Sequence, residues 1–159
     1  MQELDLGNFT LTTWLGRIWN EYRRGVPQYG HNAILLQCML HHSMWRTYWD
    51  SLAMGDETAV STVLQNAVVH VNNDALVISQ CESGNPAPLK ALHDMLEMRG
   101  FDKFAIVHTI GVALAEETAY AKEHGEKFNV ERYVEITNRY AKELLARPNL
   151  ARSARAKLY

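Results

Sequence analysis

Between Asn66 and Cys81 the chain reads Asn-Ala-Val-Val-His-Val-Asn-Asn-Asp-Ala-Leu-Val-Ile-Ser-Gln-Cys, which puts a carboxylate where a helix should be apolar. At helical spacing His70 and Asp74 stand one turn apart on one face. Ala67, Val71, Ile78 and Cys81 complete that face as a buried stripe with Asp74 inside it. A carboxylate is almost never fully buried unless it is paired or bound to a cation. The chain must therefore fold so as to bring Asp74 a partner, and a helical core with one polar site answers that demand.

The rest of the chain agrees with helices. No segment alternates over four or more residues between turn residues, whereas helix starts and stops are frequent. A first helix is expected from Thr10 to Arg24, capped by Asn8 or Thr10, stopped by Gly25 and Pro27, with Trp14, Ile18 and Tyr22 inward. A long second helix should run from Asn32 to Gly55, its seam made by His31, Leu35, Cys38, His42, Trp45, Trp49 and Leu52. After a connector over 56–65, with a helical turn from Ala59 to Leu64, comes the helix of His70 and Asp74. Asn85 should cap the next, with Pro86 in its first turn, and Gly100 should end it. Asp102 should cap a central helix ending at Gly125, in which Phe104, His108, Gly111 and Ala115 share a face. Asn129 opens the last, with Val130, Tyr133, Thr137, Tyr140 and Leu144 inward, Glu135 and Arg139 paired outside, and Pro148 as its stop. The 159 residues are enough for one core, so the expectation is an all-α, single-domain bundle of five or six helices with a basic tail over 146–159.

In such a bundle, inward side chains on facing helices meet in layers, and such layers hold metals through carboxylates and histidines. The candidate ligands are His70, Asp74 and His108, with His42 or its neighbour His41 completing the set. Imidazole with carboxylate suits a divalent transition metal, Zn, Mn, Fe or Ni. The competing reading is structural: Asp74 is a core carboxylate satisfied by His70 or another donor, and His108 a hydrogen-bonded core histidine. Glu116 and Glu117 fall on an expected solvated face, His31 reads as a turn or cap residue, and His93 and His124, near helix surfaces, carry no assigned role.

The spacing of these residues resembles a family of small bacterial helical proteins of unknown function. Its pattern is Asn-Pro-x-x-His-x-x-x-His with Gln six residues on, a Pro-containing break, Gly-aromatic-acid-x-His-x-x-x-His, and a late aromatic-acid-x-x-x-Tyr. Here Asn66, His70, Asp74 and Gln80 look like the first motif, with Asp74 at the second His. Asn85 and Pro86 look like the break, and Gly100, Phe101, Asp102, Phe104 and His108 like the second motif, with Phe104 at its first His. Phe128, Asn129 and Tyr133 look like the close. The resemblance implies a bacterial helical protein and supplies no activity.

Composition excludes several classes. Cys38 and Cys81 are far apart in apolar patterns and read as buried thiols, which with the lack of a signal-peptide plan points to the cytoplasm. No apolar run is long enough to span a bilayer. The first 146 residues carry 12 basic against 18 acidic residues, a balance of −6, and only Arg147, Arg152, Arg155 and Lys157 could attract nucleic acid, so none is expected as a partner. No phosphate loop, Cys-x-x-Cys, His-Glu-x-x-His or nucleophile elbow occurs, and the small-molecule substrate of a metal-dependent enzyme, the catalytic form of the metal reading, is unknown. The functional expectation is a helical metal-binding protein with His and Asp ligands. The alternative is an interaction or scaffold protein, a homodimer through aromatic residues of its first two helices, with a structural His–Asp pair.

Overall fold

The computed structural model describes residues 3–55 and 62–147, with side chains from 11 and 64 onward in those two segments. Among the described residues there is no strand, and seven α-helices follow one another: α1 (Glu3–Arg23), α2 (Gly30–His41), α3 (Arg46–Ala53), α4 (Thr62–Ser83), α5 (Ala87–Met98), α6 (Lys103–His124) and α7 (Val130–Ala146). A 3-10 turn, Ser43–Trp45, joins α2 to α3. The chain forms two compact units that divide inside α4, the first ending at Ala75 and the second beginning at Leu76. The helical turn expected between Ala59 and Leu64 falls partly, and the basic tail after Arg147 wholly, outside the described residues.

In the first unit the count rises above five or six because the expected long second helix is two. The backbone leaves helical geometry at His42 (φ −92°, ψ 63°), and the chain re-enters a helix at Arg46. The inward pattern survives the break: Leu35, Cys38, His42 and Trp49 are all buried. α1 is already helical at Glu3 rather than beginning at Thr10, with Asn8 and Thr10 inside it. Its inward face is also turned from the expected one. Leu15, Ile18 and Trp19 are buried, while Trp14 and Tyr22 are 38% and 40% exposed. Gly16 explains the turn, because a Cβ there would lie 2.6 Å from the carbonyl oxygen of Leu52, so α1 and α3 meet backbone to backbone. Trp19 Nε1 then donates to Asp50 Oδ1 (2.8 Å), and Trp14 Nε1 to Asn32 Oδ1 (2.9 Å).

The second unit follows its local signals closely. Asp102 caps α6, accepting from the backbone N–H groups of Phe104 and Ala105 (3.0 and 3.4 Å), and Gly125 closes the helix in the left-handed conformation (φ 63°). Asn129 caps α7 by accepting from Arg132 N–H (3.0 Å). At α5 the expectation fails by one residue: Pro86 takes the cap position and Pro88, not Pro86, sits in the first turn, where its missing N–H costs nothing. On α7 the buried residues are Tyr133, Ile136, Thr137 and Ala141, and Val130 is exposed.

Candidate metal centre

α4 delivers two of the site's residues and the break after α2 a third. His70 and Asp74, one turn apart, place His70 Nε2 3.3 Å from Asp74 Oδ2. His42 Nε2 reaches the same oxygen at 3.0 Å. His42 reaches it because the chain has left the helix there; His41, the last residue of α2, is exposed, with its ring edge-on to that of His42 at 5.1 Å. Of His41 and His42, the latter is the one whose ring nitrogen stands beside Asp74.

Burial grades across the three side chains: Asp74 is 2% exposed, His42 6% and His70 39%. The imidazoles of His42 and His70 stand edge to face at 4.6 Å, and Trp45 packs against both, at 4.8 and 5.3 Å. The aromatic wall lowers the local dielectric, so the charge of Asp74 weighs heavily there. Two neutral imidazoles would give Asp74 hydrogen bonds but no positive charge. A cation among the three would supply that charge.

The dimensions suit an ion. His42, His70 and Asp74 each offer one ligand atom, and these atoms lie within 4.8 Å of one another. Ligands of a tetrahedral ion with bonds of about 2.0–2.1 Å sit about 3.3 Å apart. The two measured nitrogen–oxygen separations, 3.0 and 3.3 Å, are close to that edge length. His70, partly open to solvent, gives an entry path, which a metal site also needs.

No protein-family model, no curated protein and no solved structure matches this chain. The chemistry of the residues is therefore the ground on which function is read.

His108, the remaining expected ligand, lies on α6 in the second unit. It is half-buried, its ring 6.0 Å from that of Phe104, and it lines a cleft of about 340 Å³ with Val112, Tyr140 and Leu144. A second group that could hold a cation, His93, Asp94 and Glu97, sits on α5, but Lys90 Nζ already stands 2.8 Å from Asp94 Oδ2. Lys90 first, then His93, holds the Asp94 carboxyl below the usual range.

The sequence reading missed Glu117. Expected on a solvated face, it is fully buried and accepts from Arg132 Nε (2.5 Å), Arg132 Nη2 (2.9 Å) and the backbone N–H of Asn129 (2.8 Å). The Arg132 guanidinium depresses its carboxyl pKa against the opposing effect of burial. Only the five-residue turn that folds α7 back on α6 joins these partners, so a helical-wheel argument on α6 alone had no signal for it. Arg139 likewise pairs with Glu116 of α6 (2.6 Å) rather than with Glu135. Gln80 and Tyr133, both positions of the family-like motif, are joined by a Tyr133 hydroxyl donating to Gln80 Oε1 (2.8 Å). Burial raises the Tyr133 pKa, which keeps that donor protonated. Both cysteines are free and buried, and burial with Asp94 nearby pushes the Cys81 thiol up to about 11, so it is unreactive near neutrality.

Proposed function

We propose that the protein binds one divalent transition-metal ion through His42 Nε2, His70 Nε2 and a carboxylate oxygen of Asp74. The observation that carries this reading is the convergence of two imidazole nitrogens on one oxygen of a buried carboxylate, at separations close to those of a tetrahedral ligand shell. Two imidazoles with one carboxylate suit Zn, Mn, Fe or Ni and would leave positions at the ion for water or a substrate oxygen. The sequence argument adds His108 to the ligands. A fourth protein ligand would make the site closed and structural, whereas three leave it open and capable of catalysis. Membership of His108 therefore separates two roles.

Elemental analysis of the untagged protein, followed by calorimetric titration with Zn, Mn, Fe(II) and Ni, tests the proposal. One ion per chain should bind the wild type and fail to bind Asp74→Asn. Protein that purifies metal-free and takes up none of these ions would sink it.

One observation favours a second reading. Among the described residues no buried side-chain nitrogen or oxygen lacks a hydrogen-bond partner, so the buried polar atoms of the site are satisfied without an ion. On that reading the chain is an interaction protein with a structural His–Asp cluster and forms a homodimer. Light scattering after size exclusion then returns a dimer mass, and chelators leave the melting curve where it was.

A further inference from the structure

Residues 31–53 contain no Gly or Pro, and their apolar pattern runs without interruption from His31 to Leu52. Local sequence specifies one continuous helix, yet the chain breaks at His42. Two tertiary hydrogen bonds are made at the break. His42 Nε2 lies 3.0 Å from Asp74 Oδ2, and Trp49 Nε1 donates to the carbonyl oxygen of Met39 (3.3 Å). In an unbroken helix that carbonyl would accept from the N–H of Ser43, and residues 39 and 49 would stand about 15 Å apart. The indole bond therefore exists only because the chain doubles back and Trp49 has displaced a helical hydrogen bond. α3 is anchored to α1 by the Gly16–Leu52 contact and the Trp19–Asp50 hydrogen bond, whereas α2 reaches α1 through the exposed Trp14–Asn32 hydrogen bond, so α2 is the more lightly held arm.

We propose that His42 is the hinge of a two-state segment. In one state, the one seen, Asp74 and Trp49 hold the bend; in the other, residues 30–53 run as a single helix and α2 swings away from α3. Straightening would withdraw His42 from Asp74 and uncover Leu35, Cys38 and Met39, which are fully buried in the bent state. Insofar as it rests on the metal reading, the inference extends it: an ion held by His42 binds only the bent state and so converts occupancy into the position of α2.

Spin labels at Gln37→Cys and Met54→Cys, in a background with Cys38 and Cys81 changed to Ala, report the state through pulsed dipolar distances. The straight helix places these positions about 25 Å apart, and the bent chain much closer. Wild type should show the short distance. His42→Ala combined with Trp49→Phe, shown to be folded by circular dichroism, should raise the long-distance population at least roughly tenfold, the effect of losing a charge-assisted hydrogen bond. A folded double variant showing only the short distance overturns the hinge. If the double variant does not fold, Trp49→Phe alone decides on the same criterion, since it keeps an aromatic ring while removing the donor and part of the buried indole. Zn titrated into Trp49→Phe separates the two ideas. Calorimetric binding that depletes the long distance supports the coupling, and binding that leaves it unchanged overturns the coupling while the metal reading stands. A long distance in the variants with no Zn binding supports the hinge and removes the metal reading.

Discussion

At the scale of single residues, two carboxylates organise the described chain, and they predict different behaviour. Asp74 Oδ2 lies 3.0 Å from His42 Nε2 and 3.3 Å from His70 Nε2, so Asp74→Ala leaves the buried His42 without that partner and should cost about 3 kcal/mol in a denaturant titration. Asp74→Asn keeps an acceptor oxygen and should cost less, so a fold equally damaged by both would mean that the charge, not the hydrogen bonding, is what matters. Glu117 gives the pH prediction. Its folded pKa lies below the ordinary value of about 4.3, chiefly through the hydrogen bonds from Arg132. The sign follows from linkage: the stabilisation is fully present above the unfolded value and is lost as pH falls through the lower, folded value. Glu117→Gln should therefore lower stability at pH 7 by about 2 kcal/mol and flatten the loss of stability below pH ~4, read from melts at successive pH values. An acid limb of unchanged slope would assign the sensitivity to other carboxyls. Glu116 is one, held low by Tyr140 first and then Arg139.

At the scale of elements, what was legible in the sequence was what is decided locally. Asp102, Gly125 and Asn129 mark the ends of α6 and α7 because a cap is settled within three or four residues. The His70–Asp74 pair was legible for the same reason, being one helical turn. The break at His42 was not, because its causes lie outside the local pattern: an indole ten residues on and a carboxylate in another helix. Nor was the turned face of α1, since its cause is a glycine against another helix. That glycine carries a prediction. A methyl at Gly16 would meet the Leu52 carbonyl oxygen at 2.6 Å and its carbon at 2.9 Å, both backbone atoms that cannot step aside alone. Overpacking of this kind costs about 1–3 kcal/mol, against about 1 kcal/mol gained from the better helix propensity of alanine. Gly16→Ala should be net destabilising, with Trp19 fluorescence shifting as its bond to Asp50 loosens. A variant as stable as wild type would mean that α1 slides along α3 at no cost.

At the scale of the whole molecule, the division inside α4 separates the proposed metal ligands from the Glu117–Arg132 lock, the first lying within residues 1–75 and the second within 76–159. No helix among the described residues is long and apolar enough to cross a membrane. An ion that binds only the folded protein stabilises it by mass action, by about 2.7 kcal/mol when free metal is about 100-fold above its Kd. That increment should vanish in Asp74→Asn, because the variant removes the charged ligand. It should stay the same in Glu117→Gln, because perturbations of independent sites add. His108→Ala supplies the informative third case. If the increment is unchanged, the ion is held by His42, His70 and Asp74 alone and keeps open coordination positions. If it falls, His108 belongs to the ligand set and the site is closed. A metal increment that persists in Asp74→Asn would place the ion at neither set of ligands, and the two histidines beside Asp74 would then be read as its hydrogen-bond donors and nothing more.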